Sequence, residues 1–448
     1  MERNLTQGSI IKNLVFFSLP YLLSFFLQTL YGMADLFIIG QFDSTASVTA
    51  VSIGSQVMHM LTVMIVGLAM GTTVAVGRAV GEKRMDKAAH TIGNTVALFL
   101  GGSVLLAAVL LMLVQPIVSI MSTPAEAVEG MVQYLIICFI GIPFITAYNI
   151  ISSIFRGLGD SKSPMIFIAV ACIANILLDY LLIGGLKMGP SGAALGTTLS
   201  QTISVIIALV SILKRKNGIK LKKSDFRLKK EALVPVLKVG IPVALQDGLI
   251  QIAFILITVI ANRRGLNDAA AVGIVEKFIS MTFLVPSSML SSVSALAAQN
   301  LGAGQEVRAR KTLLYAIAIA VGYGIIVSVL VQFSAESIVG LFEKSEPVIR
   351  SGGQYLRSYI LDCIFAGIHF CFSGYFCACE RSEISFMQNI VSIVLVRIPV
   401  AYIVSKAFTD TLTPMGLAAP AGSLLSAVIC VAAYLLMTRR QRAHRTQG

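Results

Sequence analysis

The run "AIAIAVGYGIIVSVLVQF" at residues 316–333 contains no charged side chain and is apolar on every side of a helix. A membrane-spanning β-strand instead alternates apolar and polar residues over about ten positions. Inside lipid, only helices and closed barrels satisfy all of their backbone hydrogen bonds. The run therefore predicts a membrane-spanning α-helix, and "TISVIIALVSIL" at 202–213 predicts another.

Apolar runs of this kind nearly fill the chain. Of its 448 residues, 56% are hydrophobic and 13% are charged, and the mean hydropathy is +0.84. A hydrocarbon core of about 30 Å requires about 20 apolar residues per helix, and about twelve stretches meet that requirement. The sequence predicts an all-α membrane protein with helices near 14–39, 47–76, 91–115, 131–155, 163–183, 190–213, 239–262, 268–297, 312–333, 352–378, 384–406 and 414–437.

The formal net charge of +13 follows these predicted spans. When the N-terminus is placed in the cytoplasm, most of the 35 Lys and Arg residues fall in inward-facing segments. This positive-inside pattern predicts a plasma-membrane protein with both termini in the cytoplasm. Because topology explains the charge, we expect no nucleic-acid partner. The first apolar stretch is too long for the hydrophobic region of a signal peptide, so we keep it as a span.

Landmarks of the first half of the chain recur in the second half at a nearly fixed offset, which indicates an internal repeat. Two repeats of six spans share one orientation, so we expect two lobes related by a pseudo-twofold axis along the membrane normal. The matching pairs are Pro20 with Pro242, Gly81 with Gly302, and Tyr134 with Tyr355. The predicted domains are an N-lobe at 1–213, a basic cytoplasmic linker at 214–238 and a C-lobe at 239–448.

Ionisable side chains inside a membrane are costly, so each needs a partner or a function. Asp35 and Asp179 are expected near the outer ends of spans one and five, with Asn175 one helical turn from Asp179 and Thr197 at a matching depth on span six. Two desolvated carboxylates either hold a proton or share a small hard cation. The residues favour a coupling site for H⁺ or Na⁺, and the alternative is that both Asp side chains extend to the outer surface.

In the predicted C-lobe, Arg397 occupies nearly the repeat position of Asn175, and a fixed positive charge there opposes cation binding. We expect a structural ion pair of Arg397 with Asp362 or Asp247, in preference to a second coupling site. Glu276 and Lys277 are adjacent and cannot face one direction on a helix, so their roles stay open.

Two further features of the N-lobe suggest motion and substrate contact. Pro20 lies within span one, where the missing amide hydrogen permits a kink, so we interpret it as a hinge. Met58 and Met64 on span two offer an adaptable, polarizable surface suited to varied organic substrates, although methionine is also common core filler.

Several sequence motifs resemble those of the multidrug and toxic compound extrusion (MATE) family along the whole chain, and they are most similar to its prokaryotic DinF-like and neighbouring branches. The resemblance is carried by "SLPYLLSFFLQTLYGMADLFIIGQF" at 18–42, "AVGRAVGEKR" at 75–84, "FRGLGDSKSPM" at 155–165, "ANILLDYLLI" at 174–183 and "AAQNLGAGQ" at 297–305.

This resemblance implies two six-helix lobes that alternate between inward-facing and outward-facing states. It implies that Asp35, Asn175, Asp179 and Thr197 form the H⁺ or Na⁺ site and that span one bends at Pro20. It also implies that the N-lobe cavity is lined by Gln28, Tyr31, Tyr134 and Asn149. NorM-like members carry an acidic ligand on span seven several residues after the proline, whereas Asp247 lies too near Pro242, so a C-lobe cation site of that kind is not expected.

The function expected from these observations is secondary-active export of amphipathic, cationic organic compounds by a monomer that needs no cofactor. One alternative is a flippase for lipid-linked oligosaccharide or peptidoglycan precursors, which would need a cationic cavity for pyrophosphate. A second alternative is an intramembrane transferase, which would pair its carboxylates with a metal or use a catalytic histidine.

Overall fold

The computed structural model describes residues 4–214 and 221–446, with side chains at 4–212 and 221–439. Every regular element in these ranges is helical, which confirms the predicted all-α class. The helices are α1 (Ile10–Phe42), α2 (Thr45–Gly81), α3 (Met85–Met112), α4 (Val114–Ile120), α5 (Ala125–Gly157), α6 (Lys162–Asp179), α7 (Gly189–Lys214), α8 (Lys230–Asn262), α9 (Leu266–Thr282), α10 (Leu284–Gly302), α11 (Glu306–Gly340), α12 (Glu346–Tyr359), α13 (Asp362–Ala378), α14 (Ser382–Ser392), α15 (Ile398–Ala407), α16 (Thr413–Gly416) and α17 (Ala418–Thr446).

Within the described residues, eleven helical stretches are long and apolar enough to cross a membrane. The pair α12 and α13, bent by 41° between Tyr359 and Asp362, adds a twelfth if it is counted as one span. π-helical turns interrupt two spans, at Tyr180–Gly185 and at Ile393–Arg397. The predicted number of spans therefore agrees with the structure.

The chain divides into two compact units within its described part. The first unit comprises residues 4–6, Phe16–Gly240 and Gly302–Gly304, and the second comprises Gln7–Val15, Ile241–Leu301 and residues 305–446. The lobe boundaries expected at 213 and 239 stay a prediction.

The core of the first unit is formed where α2, α5 and α7 pack together. Small and hydroxylated residues permit this close packing, and the Thr73 hydroxyl of α2 donates a hydrogen bond of 3.1 Å to the Ser153 carbonyl of α5. In the second unit α11 packs against α13, and the Ser328 hydroxyl of α11 donates to the Ile360 carbonyl at the bend before α13. Helix α11 also contacts α9, because the Tyr323 hydroxyl of α11 donates a hydrogen bond to the Thr282 carbonyl at the end of α9.

The helices extend past most of the predicted bounds, because polar residues at a membrane surface continue a helix that hydropathy alone truncates. The largest difference concerns the predicted linker at 214–238, whose last nine residues form the start of α8 at Lys230. A short 3₁₀ helix, Lys223–Phe226, precedes α8. Residues 215–220 of that predicted linker lie outside the described residues.

Candidate functional site

Three helices of the first unit place a polar site at one end of that unit. Asp35 lies seven residues before the end of α1, and Asp179 is the last residue of α6. Thr197 lies eight residues after the start of α7, which follows α6 in the chain. The π-helical turn that follows Asp179 adds an extra residue to the helical turn, a feature that is frequent at functional sites.

The side chains of these helices meet. The Thr197 hydroxyl donates a hydrogen bond of 3.1 Å to Oδ2 of Asp35. The Asp179 carboxylate and the Asn175 amide also face the Asp35 carboxylate at interaction range. Asp35 is 5% exposed, and Asn175 and Asp179 are fully buried. The structure thus brings together the four residues proposed for cation coupling, whose role stays a prediction.

This buried cluster has more polar atoms than protein partners. Among the described residues, no hydrogen-bond partner is found for Oδ1 of Asp35, for either carboxylate oxygen of Asp179 or for either polar atom of the Asn175 amide. Buried polar atoms are nearly always paired, because leaving one unsatisfied costs about 1–3 kcal/mol and more for a charged group. The cluster is therefore suited to a small positive ligand that these oxygens share.

Gly196 makes room for one carboxylate of this cluster. A methyl group at Gly196 would collide with Oδ1 of Asp179 and would contact the Asn175 amide at 3.6 Å. The absence of a side chain therefore allows α7 to lie directly against the Asp179 carboxylate. Sequence reasoning missed Gly196, although it immediately precedes Thr197 in the chain.

The side chains of this cluster offer mainly oxygen atoms as ligands. Carboxylate, amide and hydroxyl oxygens are hard donors that favour H⁺ and hard cations over softer transition metals. Within the described residues, no group of three or more His, Cys, Asp or Glu side chains could hold a metal ion. One neutralising H⁺ or one Na⁺ shared between the two carboxylates fits this donor set.

The buried arginine of the second unit does not form the predicted ion pair. Nη2 of Arg397 donates a 2.5 Å hydrogen bond to the Tyr359 hydroxyl, and its guanidinium carbon lies 5.0 Å from the centre of the Phe254 ring. In the part of the chain that the structure describes, neither carboxylate oxygen of Asp362 has a hydrogen-bond partner, although Asp362 and Arg397 attract each other electrostatically. The expected ion pair of Arg397 with Asp362 is corrected to an interaction at longer range.

Asp247, the other expected partner of Arg397, is half-buried on α8, and its carboxylate lies near Cys377. Among the described residues, no ion pair joins Asp247 to Arg397, so this alternative is also corrected. The physical reason is that tyrosine and phenylalanine rings already surround the guanidinium.

Glu276 and Lys277, the adjacent residues whose roles the sequence left open, differ in their surroundings. Oε2 of Glu276 accepts a hydrogen bond of 3.2 Å from the Thr258 hydroxyl, and Glu276 attracts Arg397 electrostatically. Lys277 is exposed on the other side of α9. Arg397 therefore balances two carboxylates of the second unit, Asp362 and Glu276.

Comparison with known proteins identifies the fold family. A family model described as MatE matches the chain twice, at residues 20–181 and 242–403. The chain belongs to the MATE family. Both matches are offset by 222 residues (242 − 20 and 403 − 181), which confirms the internal repeat inferred from Pro20 and Pro242.

Relatives of similar length support the family assignment. The chain is 29% identical over 395 residues to a probable multidrug resistance protein, YpnP, from Bacillus subtilis (strain 168), with 88% of each chain covered. It is 24% identical over 437 residues to the multidrug export protein MepA from Staphylococcus saprophyticus, covering 96% of this chain and 94% of that protein. A crystal structure of a MATE protein in complex with MaL6 has a TM-score of 0.91 at 23% identity, covers 99% of both chains and shows the same fold.

As a MATE family member, the protein is a multi-pass membrane transporter and not an enzyme, which excludes the transferase alternative. Its proposed hinge, Pro20, lies inside the continuous helix α1, where the Ser24 hydroxyl donates a 2.8 Å hydrogen bond to the Pro20 carbonyl. Such a bond from a hydroxyl to the carbonyl four residues earlier often accompanies bending of a helix.

The six residues proposed to contact substrate in this MATE protein differ in exposure. Gln28, Tyr31 and Met64 are half-buried and retain accessible surface. Met58, Tyr134 and Asn149 are between 2% and 8% exposed and pack in the interior of the first unit.

Two of these residues adjoin the carboxylate cluster. Tyr31 and Tyr134 both lie close enough to Asp35 to interact with it electrostatically. The Asn149 amide instead donates a 2.8 Å hydrogen bond to the Ile145 carbonyl of its own helix. Of the buried three, Tyr134 therefore has the most direct connection to the proposed coupling site.

Proposed function

We propose that this MATE transporter exports amphipathic, cationic organic compounds in exchange for H⁺ or Na⁺ that enters through the Asp35 and Asp179 site. The observation that carries the proposal is the buried convergence of these two carboxylates with Asn175 and Thr197. A cation gradient can drive a transporter only if the cation binds one conformation more tightly than another. A desolvated carboxylate pair meets this requirement because small rearrangements change the number of oxygens that reach the ion.

The names of the relatives support the substrate class. The Bacillus and Staphylococcus proteins described above are named for multidrug resistance and for multidrug export. Tyr31, Gln28 and Met64 offer partly exposed aromatic, amide and thioether surface in the first unit. Such adaptable surface suits varied organic cations.

Coupling follows from competition between the two ligands for conformations of the first unit. Bound H⁺ or Na⁺ lowers the negative charge that Asp35 and Asp179 share and favours a bent α1, with Pro20 as the bending point. Substrate binding favours the conformation in which the carboxylates are charged and empty. Each ligand then lowers the affinity for the other, and the inward cation gradient drives export.

We extend the proposal to topology and assembly. Residues 1–213 and 239–448 act as the two lobes of alternating access, joined on the cytoplasmic side by 214–238. Both termini face the cytoplasm because the basic residues concentrate on that side. The transport unit is a single copy of the chain in the plasma membrane.

One structural feature disfavours the flippase alternative. A pyrophosphate carrier would need unpaired cationic side chains in its cavity. The buried cation Arg397 is instead balanced by Asp362 and Glu276. This arrangement leaves little uncompensated positive charge around Arg397 to receive a pyrophosphate group.

The proposal is tested by efflux of ethidium from cells that express the protein. We expect gradient-dependent efflux that is abolished by Asp35→Asn and by Asp179→Asn. The matched control is Asp247→Asn, which removes a half-buried carboxylate of the other unit and leaves efflux intact. Undiminished efflux in the first two variants would reject the coupling assignment. A sodium jump at fixed pH on reconstituted protein then distinguishes Na⁺ from H⁺.

A further inference from the structure

The segment between α7 and α8 packs on α3 around a buried aspartate. Asp225 is 4% exposed although its neighbours in the chain are exposed. Its Oδ1 lies 2.8 Å from Nδ1 of His90 on α3, and its Oδ2 accepts a 2.7 Å hydrogen bond from the backbone N–H of Lys222. The Asp225 carboxylate therefore holds the short 3₁₀ helix in shape and lies against His90 of α3.

A second residue of α3 completes this attachment. The Asn94 amide donates a 2.8 Å hydrogen bond to the Asp225 carbonyl, and its oxygen accepts a 2.5 Å hydrogen bond from the backbone N–H of Lys229. At Gly93, a methyl group would approach the Asp225 carbonyl to 2.5 Å, so only glycine permits this close contact. The segment thus has a defined position on α3 from Lys222 to Lys229.

The outward face of this segment combines positive charge with exposed apolar side chains. Leu221, Phe226 and Leu228 are 44%, 42% and 60% exposed. The exposed basic residues are Lys222, Lys223, Arg227, Lys229 and Lys230. Among the described residues, none of these five forms an ion pair, and Glu231 is the exposed carboxylate nearest to them in the chain.

The attachment to α3 determines the level of this face in the membrane. With 28 residues at 1.5 Å per residue, α3 is roughly 42 Å long and extends past a hydrocarbon core of about 30 Å. His90 and Asn94 lie within the first three turns of α3, next to the charged turn at 82–84. The segment therefore lies where phosphate headgroups meet acyl chains.

We infer that the face formed by residues 221–230 binds the headgroups of anionic lipids of the surrounding membrane. Its lysine and arginine side chains contact lipid phosphates, while Leu221, Phe226 and Leu228 insert among the upper acyl carbons. Basic residues next to a spanning helix are attracted to an anionic leaflet. Interleaved apolar residues favour a lipid surface over a soluble polyanion, because a soluble polyanion would leave them in water.

The positive-inside rule alone does not account for this arrangement. Topology requires basic residues on the cytoplasmic side but no fixed conformation for them. Here one buried aspartate, one asparagine and one glycine hold the segment in place. The only acidic residue between 221 and 230 is turned inward, so the outward face carries positive charge alone.

The chain contains no tryptophan, which permits a direct test. Phe226→Trp places a single fluorophore on the proposed face of the full-length protein. The protein is reconstituted in phosphatidylcholine vesicles containing a minor fraction of phosphatidylglycerol, with one lipid or the other brominated near the headgroup. We expect brominated phosphatidylglycerol to quench the tryptophan about threefold or more strongly per mole than brominated phosphatidylcholine.

Three further variants make the result specific. The stronger quenching by phosphatidylglycerol should disappear when Lys222, Lys223 and Lys229 are all changed to Gln. It should persist when the same three residues are changed to Arg. Phe333→Trp reports on an apolar side chain of α11 that is 86% exposed and should be quenched equally by both lipids. Equal quenching at position 226, or a preference that survives the glutamine substitutions, would overturn the inference.

Discussion

The Thr197 hydroxyl donates a 3.1 Å hydrogen bond to the Asp35 carboxylate, which joins α1 and α7 across 162 positions of the chain. Asp179 faces the same carboxylate from α6. Three helices of the first unit are thus connected through one buried acidic cluster. A cation or proton that binds there changes the electrostatic energy between all three helices.

Removal of the Thr197 hydroxyl tests its contribution to this cluster. Thr197→Val keeps the shape of the side chain but leaves Oδ2 of Asp35 without its donor. Hydrogen bonds to charged groups contribute about 1.5–3 kcal/mol, so we expect the cation concentration for half-maximal transport to change about tenfold or more. Thr197→Ser retains the hydroxyl and should resemble the parent in the same proteoliposome assay. Equal behaviour of the Val and Ser variants would show that this bond has no part in coupling.

The space at Gly196 is predicted to be essential. Gly196→Ala places a methyl group against Oδ1 of Asp179 and should separate α7 from α6, with loss of most gradient-driven transport. Gly101→Ala is the matched control, because a methyl group there meets nothing within 4 Å and alanine favours a helix by about 1 kcal/mol. Transport and thermal unfolding are measured for both proteins. Normal transport by Gly196→Ala would contradict the described packing.

The charges around Arg397 predict that a second substitution restores stability lost by the first. Arg397→Met leaves Asp362 and Glu276 buried without a cation, and breaking such an interaction costs about 3 kcal/mol or more. Adding Asp362→Asn removes one of the uncompensated carboxylates and should restore much of the lost stability. A double-mutant cycle on thermal unfolding in detergent measures this coupling. Strictly additive effects would mean that the two side chains do not interact.

Arg264 is predicted to anchor the end of α15. Its Nη1 donates to the Ser405 and Phe408 carbonyls at 2.6 and 2.8 Å, and its Nε lies 2.8 Å from the Asp268 carboxylate. Arg264→Lys cannot reproduce this planar set of donors and should lower the free energy of unfolding by about 2 kcal/mol. The neighbouring exposed Arg263 provides the control, since Arg263→Lys should change stability by less than about 0.5 kcal/mol. Equal stability of the two variants would argue against an anchoring role.

The helical architecture could be predicted from sequence because lipid imposes one simple rule: a run of about 20 apolar residues must form a helix. The meeting of Asn175 and Asp179 on one helical face follows from their spacing of four residues. Depth along the predicted spans placed Asp35 and Thr197 in the same layer. The family resemblance strengthened their assignment to one cluster, because depth alone does not determine which helices are neighbours.

Other features depend on distances that no local pattern encodes. The role of Gly196 arises because the Asp179 side chain of α6 lies directly against α7 there. Arg397 donates a hydrogen bond to the Tyr359 hydroxyl and not to a carboxylate, because its long side chain has several partners within reach. The attachment of Asp225 to His90 and Asn94 joins residues about 131 positions apart and is invisible to any short window of sequence.

The central claim is tested most directly by recording both ligands at once in proteoliposomes that contain a pH-sensitive or sodium-sensitive dye. Addition of a cationic substrate on the side from which it is exported should drive H⁺ or Na⁺ in the opposite direction. Both fluxes should disappear together in Asp35→Asn and in Asp179→Asn and should persist in Asp247→Asn. Substrate movement without an opposing cation flux, or counterflux that survives the loss of both aspartates, would contradict the account.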